Sequence, residues 1–165
     1  MNSKETSIGF SLLKISTEQF AIIEDGFNEK GVISVGTSLR CGADEKNKLI
    51  AVFSSFSFES DKKPFLIVEA SCQFKITDDA WLNMLEQEFN LLKVPKGFLS
   101  HLAVLTIGTT RGILHARTEG TCFNKYVLPT INVTEIIKED AIFSFVIRSE
   151  NTSERVKQTP NQSRK

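Results

Sequence analysis

Six apolar residues fall on alternate positions between 66 and 76: Leu66, Val68, Ala70, Cys72, Phe74 and Ile76. Glu69, Ser71, Gln73 and Lys75 stand between them. A helix would scatter these side chains around its circumference, whereas a strand places all six on one side. The chain therefore contains a half-buried strand, and such a strand needs neighbours along both edges and a layer over its apolar face.

The preceding residues supply the neighbours. Ile33, Val35, Thr37, Leu39 and Cys41 alternate with Ser34, Gly36, Ser38 and Arg40. From Leu49 to Glu59, Ile50, Val52, Phe56 and Phe58 share one face, and Phe53 lies on the other among Ser55 and Ser57. The connections at 42–48 and at Asp61–Pro64 are polar and short, which joins antiparallel neighbours; no intervening helix allows a parallel sheet. Strand-forming residues between Phe10 and Ile23 add a fourth member, ended by Glu24-Asp25-Gly26. Phe65 and Ile67 break the alternation of the last strand by placing apolar groups on its polar face.

After Thr77 the period changes. Trp81, Met84, Leu85, Phe89 and Leu92 follow helical spacing, with Asp78 or Asp79 as N-cap, until Val94-Pro95 interrupts. Pro95 suits the first turn of a longer helix reaching Arg117, striped by Phe98, Leu99, Leu102, Leu105 and Ile113 and ended near Glu119-Gly120. Asn132 and Glu135 form a capping-box pattern for a last helix extending to Asp140. The sequence thus divides into a flexible lead-in over 1–9, one α+β domain over 10–147 and a tail over 148–165. That tail carries five basic and two acidic side chains with Val156 as its one large apolar residue, and is expected to be disordered.

Composition narrows the function. Twenty Lys and Arg balance twenty Asp and Glu, so the net charge gives no argument for nucleic acid or an anionic membrane as partner. The three cysteines, Cys41, Cys72 and Cys122, are widely spaced and fit reduced thiols better than a disulfide framework or a zinc site. His101 and His115 lie about four turns apart on the long helix, too far to share a metal ion. No apolar run approaches a membrane span and the first residues lack the pattern of a signal peptide, so the expected location is the cytoplasm, without membrane insertion. No nucleophile–base pair or phosphate loop stands out, and neither an enzyme nor a cofactor is expected.

Thirteen Phe against one Tyr and one Trp is a heavy apolar load for 165 residues. It implies a surface that is exposed or shared with other molecules. Phe53, Phe65, Ile67, Trp81, Met84 and Phe89 are the candidates for that surface. Gly108 and Gly112, one turn apart on the long helix, would let another backbone approach closely and are the candidate oligomer interface.

Three segments resemble the SecB family of protein-export chaperones. Lys14-Ile15-Ser16-Thr17-Glu18-Gln19-Phe20 is similar to the family's first strand. Thr110-Arg111-Gly112 resembles the Thr/Ser-Arg-Gly near the end of its long helix. Leu128-Pro129-Thr130-Ile131-Asn132 resembles the turn before its final helix. The resemblance implies a SecB-like α+β fold, a four-stranded antiparallel sheet with a long helix packed on one face and a C-terminal helix. It implies a homotetramer, a dimer of dimers, in which strands of neighbouring subunits extend one sheet and the long helices lie between sheets. It further implies an ATP-independent holdase that binds unfolded polypeptide in apolar grooves, with no cofactor or nucleotide. The family's exporters are acidic and dock to the SecA motor; this chain is neutral, which leaves a SecA-like partner open. SecB-like proteins also serve toxin–antitoxin systems. A structural adaptor whose apolar surface serves only assembly, or a small-ligand protein with a pocket under the helix, are the competing readings.

Overall fold

The computed structural model describes residues 8–145. The expected lead-in up to residue 7 and the expected basic tail lie outside them. Four strands, β1 (Phe10–Ile22), β2 (Ile33–Asp44), β3 (Leu49–Ser60) and β4 (Lys63–Ile76), form one antiparallel sheet in the order β1-β4-β3-β2. The short α1 (Asp78–Met84) leads into β5 (Leu85–Glu86) and β6 (Leu91–Val94). The long α2 (Lys96–Thr118) follows, then α3 (Val133–Ile136) and β7 (Ala141–Ser144). The last strand joins β5 and β6 in a second sheet ordered β5-β6-β7. The architecture is α+β, with a four-stranded antiparallel sheet and a long helix on one of its faces.

Burial in β3 alternates at every residue, with Ile50, Val52, Ser54, Phe56, Phe58 and Ser60 on the covered side. The turn between β3 and β4 is the two-residue kind whose central positions both need positive φ, here Asp61 at 50° and Lys62 at 67°. Asp61 anchors it by accepting hydrogen bonds from the Val32 N–H and the Asn28 side-chain amide.

Against this face α2 buries Leu99, Leu102, Ala103, Thr106, Ile107, Thr110, Leu114 and Thr118. Small residues meet across this layer, where the Thr110 and Ser54 hydroxyls are hydrogen-bonded to each other. Thr110 also donates to the Thr106 carbonyl, and Thr106 to that of Leu102, so these hydroxyls are paired inside an apolar layer. Replacing Thr110 by Val removes a partner of Ser54 at constant shape. It is expected to cost about 1–3 kcal/mol, the penalty of a buried hydroxyl left unpaired, measured as a lowered urea midpoint.

The helix expected from Trp81 to Leu92 stops at Met84. Leu85 and Leu92, which share a helical stripe on paper, are cross-strand partners of a tight hairpin instead. Asn90, at φ 49°, supplies the left-handed position that closes it. Thr77 is the N-cap of α1, and Asp78 follows in the first turn, where the Lys48 ammonium 2.7 Å away holds its carboxyl below the ordinary carboxylate range. The second helix runs unbroken through Gly108 and Gly112 as the stripe implies. The last helix is a correction: it makes one turn, and the Asn132 and Glu135 side chains bond to each other rather than to the helix start. Residues Ala141–Ser144 then form a strand.

Candidate functional site

The candidate surface residues separate into three groups. Phe65 is fully buried, which corrects its placement on the open face. The register steps from Phe58 opposite Leu66 to Glu59 opposite Pro64, so Phe65 is an extra residue in β4. A bulge shifts the phase of the strand by one residue, and the Phe65 ring turns inward. It meets Phe27, Phe58, Phe123 and Tyr126 at ring distances of 4.9–6.3 Å. Trp81 and Met84 are also in the core; Trp81 lies stacked against Phe145 at 6.2 Å. Neither ring nor thioether is available as surface in this fold.

Phe53 and Ile67 do lie on the face away from α2, half-buried. The Arg40 guanidinium sits over the Phe53 ring, 4.8 Å from its centre, while it pairs with Glu69. That arrangement covers the ring with charge. Phe89 alone of the six is widely open, at 64% exposure on the tip of the β5–β6 hairpin. The Phe excess therefore goes mainly into the aromatic core clusters, and Phe89 is the single Phe among the exposed large apolar residues described.

Gly108 and Gly112 stand on the outer side of α2, and a side chain added to either would meet nothing within 4 Å in this chain. Val104 and Leu105 are exposed on the same helix. The flank of the sheet beside it is equally open. Phe10 packs on Phe98 and His101 at one end of β1, and the Arg117 guanidinium lies over Phe20 at the other. Between them Leu12, Leu13 and Ile15 are about half exposed or more. Because α2 packs chiefly over β3 and β4, the middle of β1 has no cover among the described residues.

An opening missed by the sequence reading lies on the other flank. A groove of about 130 Å³ is lined by Leu39, Arg40, Cys41, Val52, Leu99, Ala103, Ile136 and Ile137. It runs between the free edge of β2, α2 and the single turn of α3. Burial pushes the Cys41 thiol pKa up, which keeps that side chain neutral, and Arg40 is the one charged residue of an otherwise apolar lining. The signal was present in the sequence: Leu39 and Cys41 belong to the alternating face of an edge strand that a narrow helix cannot reach.

Two segments that carry the family resemblance meet in space. The Arg111 guanidinium donates to the Leu128 carbonyl at 3.3 Å and to the Pro129 carbonyl at 3.1 Å, which ties the loop before α3 to the long helix. Through that tie α2 positions the wall of the groove. Among the described residues no cluster of His, Cys, Asp or Glu could hold a metal ion, and no helix is long and apolar enough to cross a membrane.

No family model matches the chain, and no curated protein matches it. Similar solved structures include a SecB-like chaperone of Mycobacterium tuberculosis in complex with a peptide from the HigA1 antitoxin. It has a TM-score of 0.41 and 11% identity, over 76% of this chain and 90% of that one. They also include a protein of unknown function from Streptococcus agalactiae, with a TM-score of 0.39 and 16% identity over 76% of this chain and 98% of that one.

Proposed function

We propose that this chain is a SecB-like, ATP-independent holdase that binds unfolded polypeptide and acts as a homotetramer. The observation that carries the reading is the mainly apolar groove beside the edge of β2, which is unpaired among the described residues. An edge strand offers unpaired N–H and C=O groups, and apolar side pockets next to it accept alternate side chains. An extended chain of varied sequence supplies both. The bare face of α2 and the uncovered flank of β1 provide two further surfaces, suited to copies of the same chain. Export and toxin–antitoxin control are two uses of one holding activity; they differ in the client and in whether a SecA-like motor takes it over.

The test is aggregation of a chemically unfolded model protein. The wild type is expected to suppress it without nucleotide. Ile136→Asp alters a groove residue that is already 47% exposed, so the fold should persist while suppression falls severalfold. Phe89→Ser probes the hairpin tip in the same assay. A wild type inert toward several clients would sink the holdase reading, and an inert Ile136→Asp effect would move the site away from the groove.

A further inference from the structure

The second sheet ends in an unusual seat. Strand β7 pairs along β6 through Leu91–Ser144, Leu92–Phe143, Lys93–Ile142 and Val94–Ala141, and β6 is its principal contact. Its alternation is that of a short apolar ligand. Ala141, Phe143 and Phe145 pack against the core, whereas Ile142 is 63% exposed. The Phe145 ring closes over Trp81.

Both ends of this strand are also tied by polar clasps. At the start, the Asp140 carboxylate accepts from the Lys96 N–H at 2.9 Å and faces the Lys93 ammonium at 3.6 Å; Lys96 also reaches the Lys138 carbonyl. At the far end, the Asn90 side-chain amide donates to the Phe145 carbonyl at 2.7 Å, and the Phe145 N–H donates to the Asn90 carbonyl at 3.2 Å. A four-residue strand with one main neighbour lies at the low-stability end of a fold. Its removal would expose a strand edge and the apolar seat of two rings.

We infer that β7 is a built-in occupant of a polypeptide-docking edge, and that an extended segment of alternating apolar residues displaces it from β6. The seat shows the chemistry of its ligand: backbone donors and acceptors along Leu91–Val94, and core contacts for the Phe143 and Phe145 rings two residues apart. This inference rests on the holdase reading for its biological use, though the exchange itself does not require it. Docking at this second edge would then be gated, because Trp81 and the β6 edge open only when a segment able to replace β7 is present.

Trp81 is the sole tryptophan of the chain, so its emission reports on the seat directly. The experiment uses a Trp-free peptide with the 141–145 sequence between solubilising lysines, and a control with its apolar residues changed to serine. The first should shift Trp81 emission saturably and the control should not. Asn90→Gly keeps the left-handed turn, removes the side-chain clasp and should shift the response to lower peptide concentration. Lys93→Cys with Ile142→Cys, in a background of Cys41→Ser and Cys122→Ser, places a cross-link on the exposed side of the pair. Oxidised, this variant should lose the response to the peptide; reduction should restore it. A Trp81 signal indifferent to the peptide overturns the inference. So does an oxidised variant that answers the peptide as its reduced form does, an outcome that leaves the holdase reading, which rests on the β2 groove, intact. A wild type that exchanges peptide yet holds no client supports exchange and removes the holdase reading.

Discussion

Phe65→Ala is expected to lower the free energy of unfolding by about 3–5 kcal/mol, the range for truncating a fully buried aromatic ring. The ring lies at the centre of the cluster formed by Phe27, Phe58, Phe123 and Tyr126. These neighbours come from the loop before β2, from β3 and from the turn after α2, so the void would have walls that cannot collapse together. Backbone ties point the same way: the Ile23 N–H donates to the Phe65 carbonyl at 2.7 Å. Phe53→Ala is the matched control. Its ring is half-buried under Arg40 and should cost on the order of 1 kcal/mol, a cation–π contact plus modest burial. Urea unfolding of both variants decides the matter. Equal losses would mean that Phe65 does not occupy the core.

The second large effect concerns assembly. In an isolated chain Gly112→Leu is expected to leave the fold intact and to raise the melting temperature slightly. The added side chain meets nothing within 4 Å, and glycine inside a helix costs about 1 kcal/mol relative to a good helix former. If the bare face of α2 packs against another copy, the same change forces the helices apart and shifts sedimentation from tetramer toward smaller species. Opposite signs in the two measurements would separate an interface from a structural role. Wild-type mass together with raised stability would show that this face is simply solvated. Gly26 is the contrasting position: an added carbon there would stand 2.3 Å from the Pro64 carbonyl oxygen, a backbone atom that cannot rotate away.

The main sheet was legible because its alternations are long. The six inward residues of β4 could satisfy no other period, and the faces assigned to Ile50, Val52, Phe56 and Phe58 are the buried ones. Phe65 was misplaced because one extra residue reverses every parity before it, and alternation counted from the strand centre carries no mark of where the slip falls. Pro64 was the available signal: a residue without an N–H interrupts the ladder at that point. The stretch around Trp81 failed for a different reason. Spacing of three and four fits a helix, but Leu85 and Leu92 also match across a hairpin whose Asn90 turn is a weak marker. With β7 unassigned, nothing in the sequence covered Trp81, and a core residue read as surface. Alternation of Ala141, Phe143 and Phe145 with Ile142 and Ser144 was the missing clue.

The outer edge of β1 carries a separate consequence. Its pairing with β4 slips twice, between Leu12 and Lys14 and again between Thr17 and Gln19, while β2 pairs with β3 over Ile33–Asp44 without a break. Each slip adds a residue and a local twist, so an incoming strand finds a template in phase over only a few residues at a time. Growth of an endless cross-β stack requires a straight template repeated at every addition. An edge with two dislocations permits pairing with a complementary, equally dislocated edge and frustrates everything after it. The β1 edge is thereby protected from seeding a fibre of this chain.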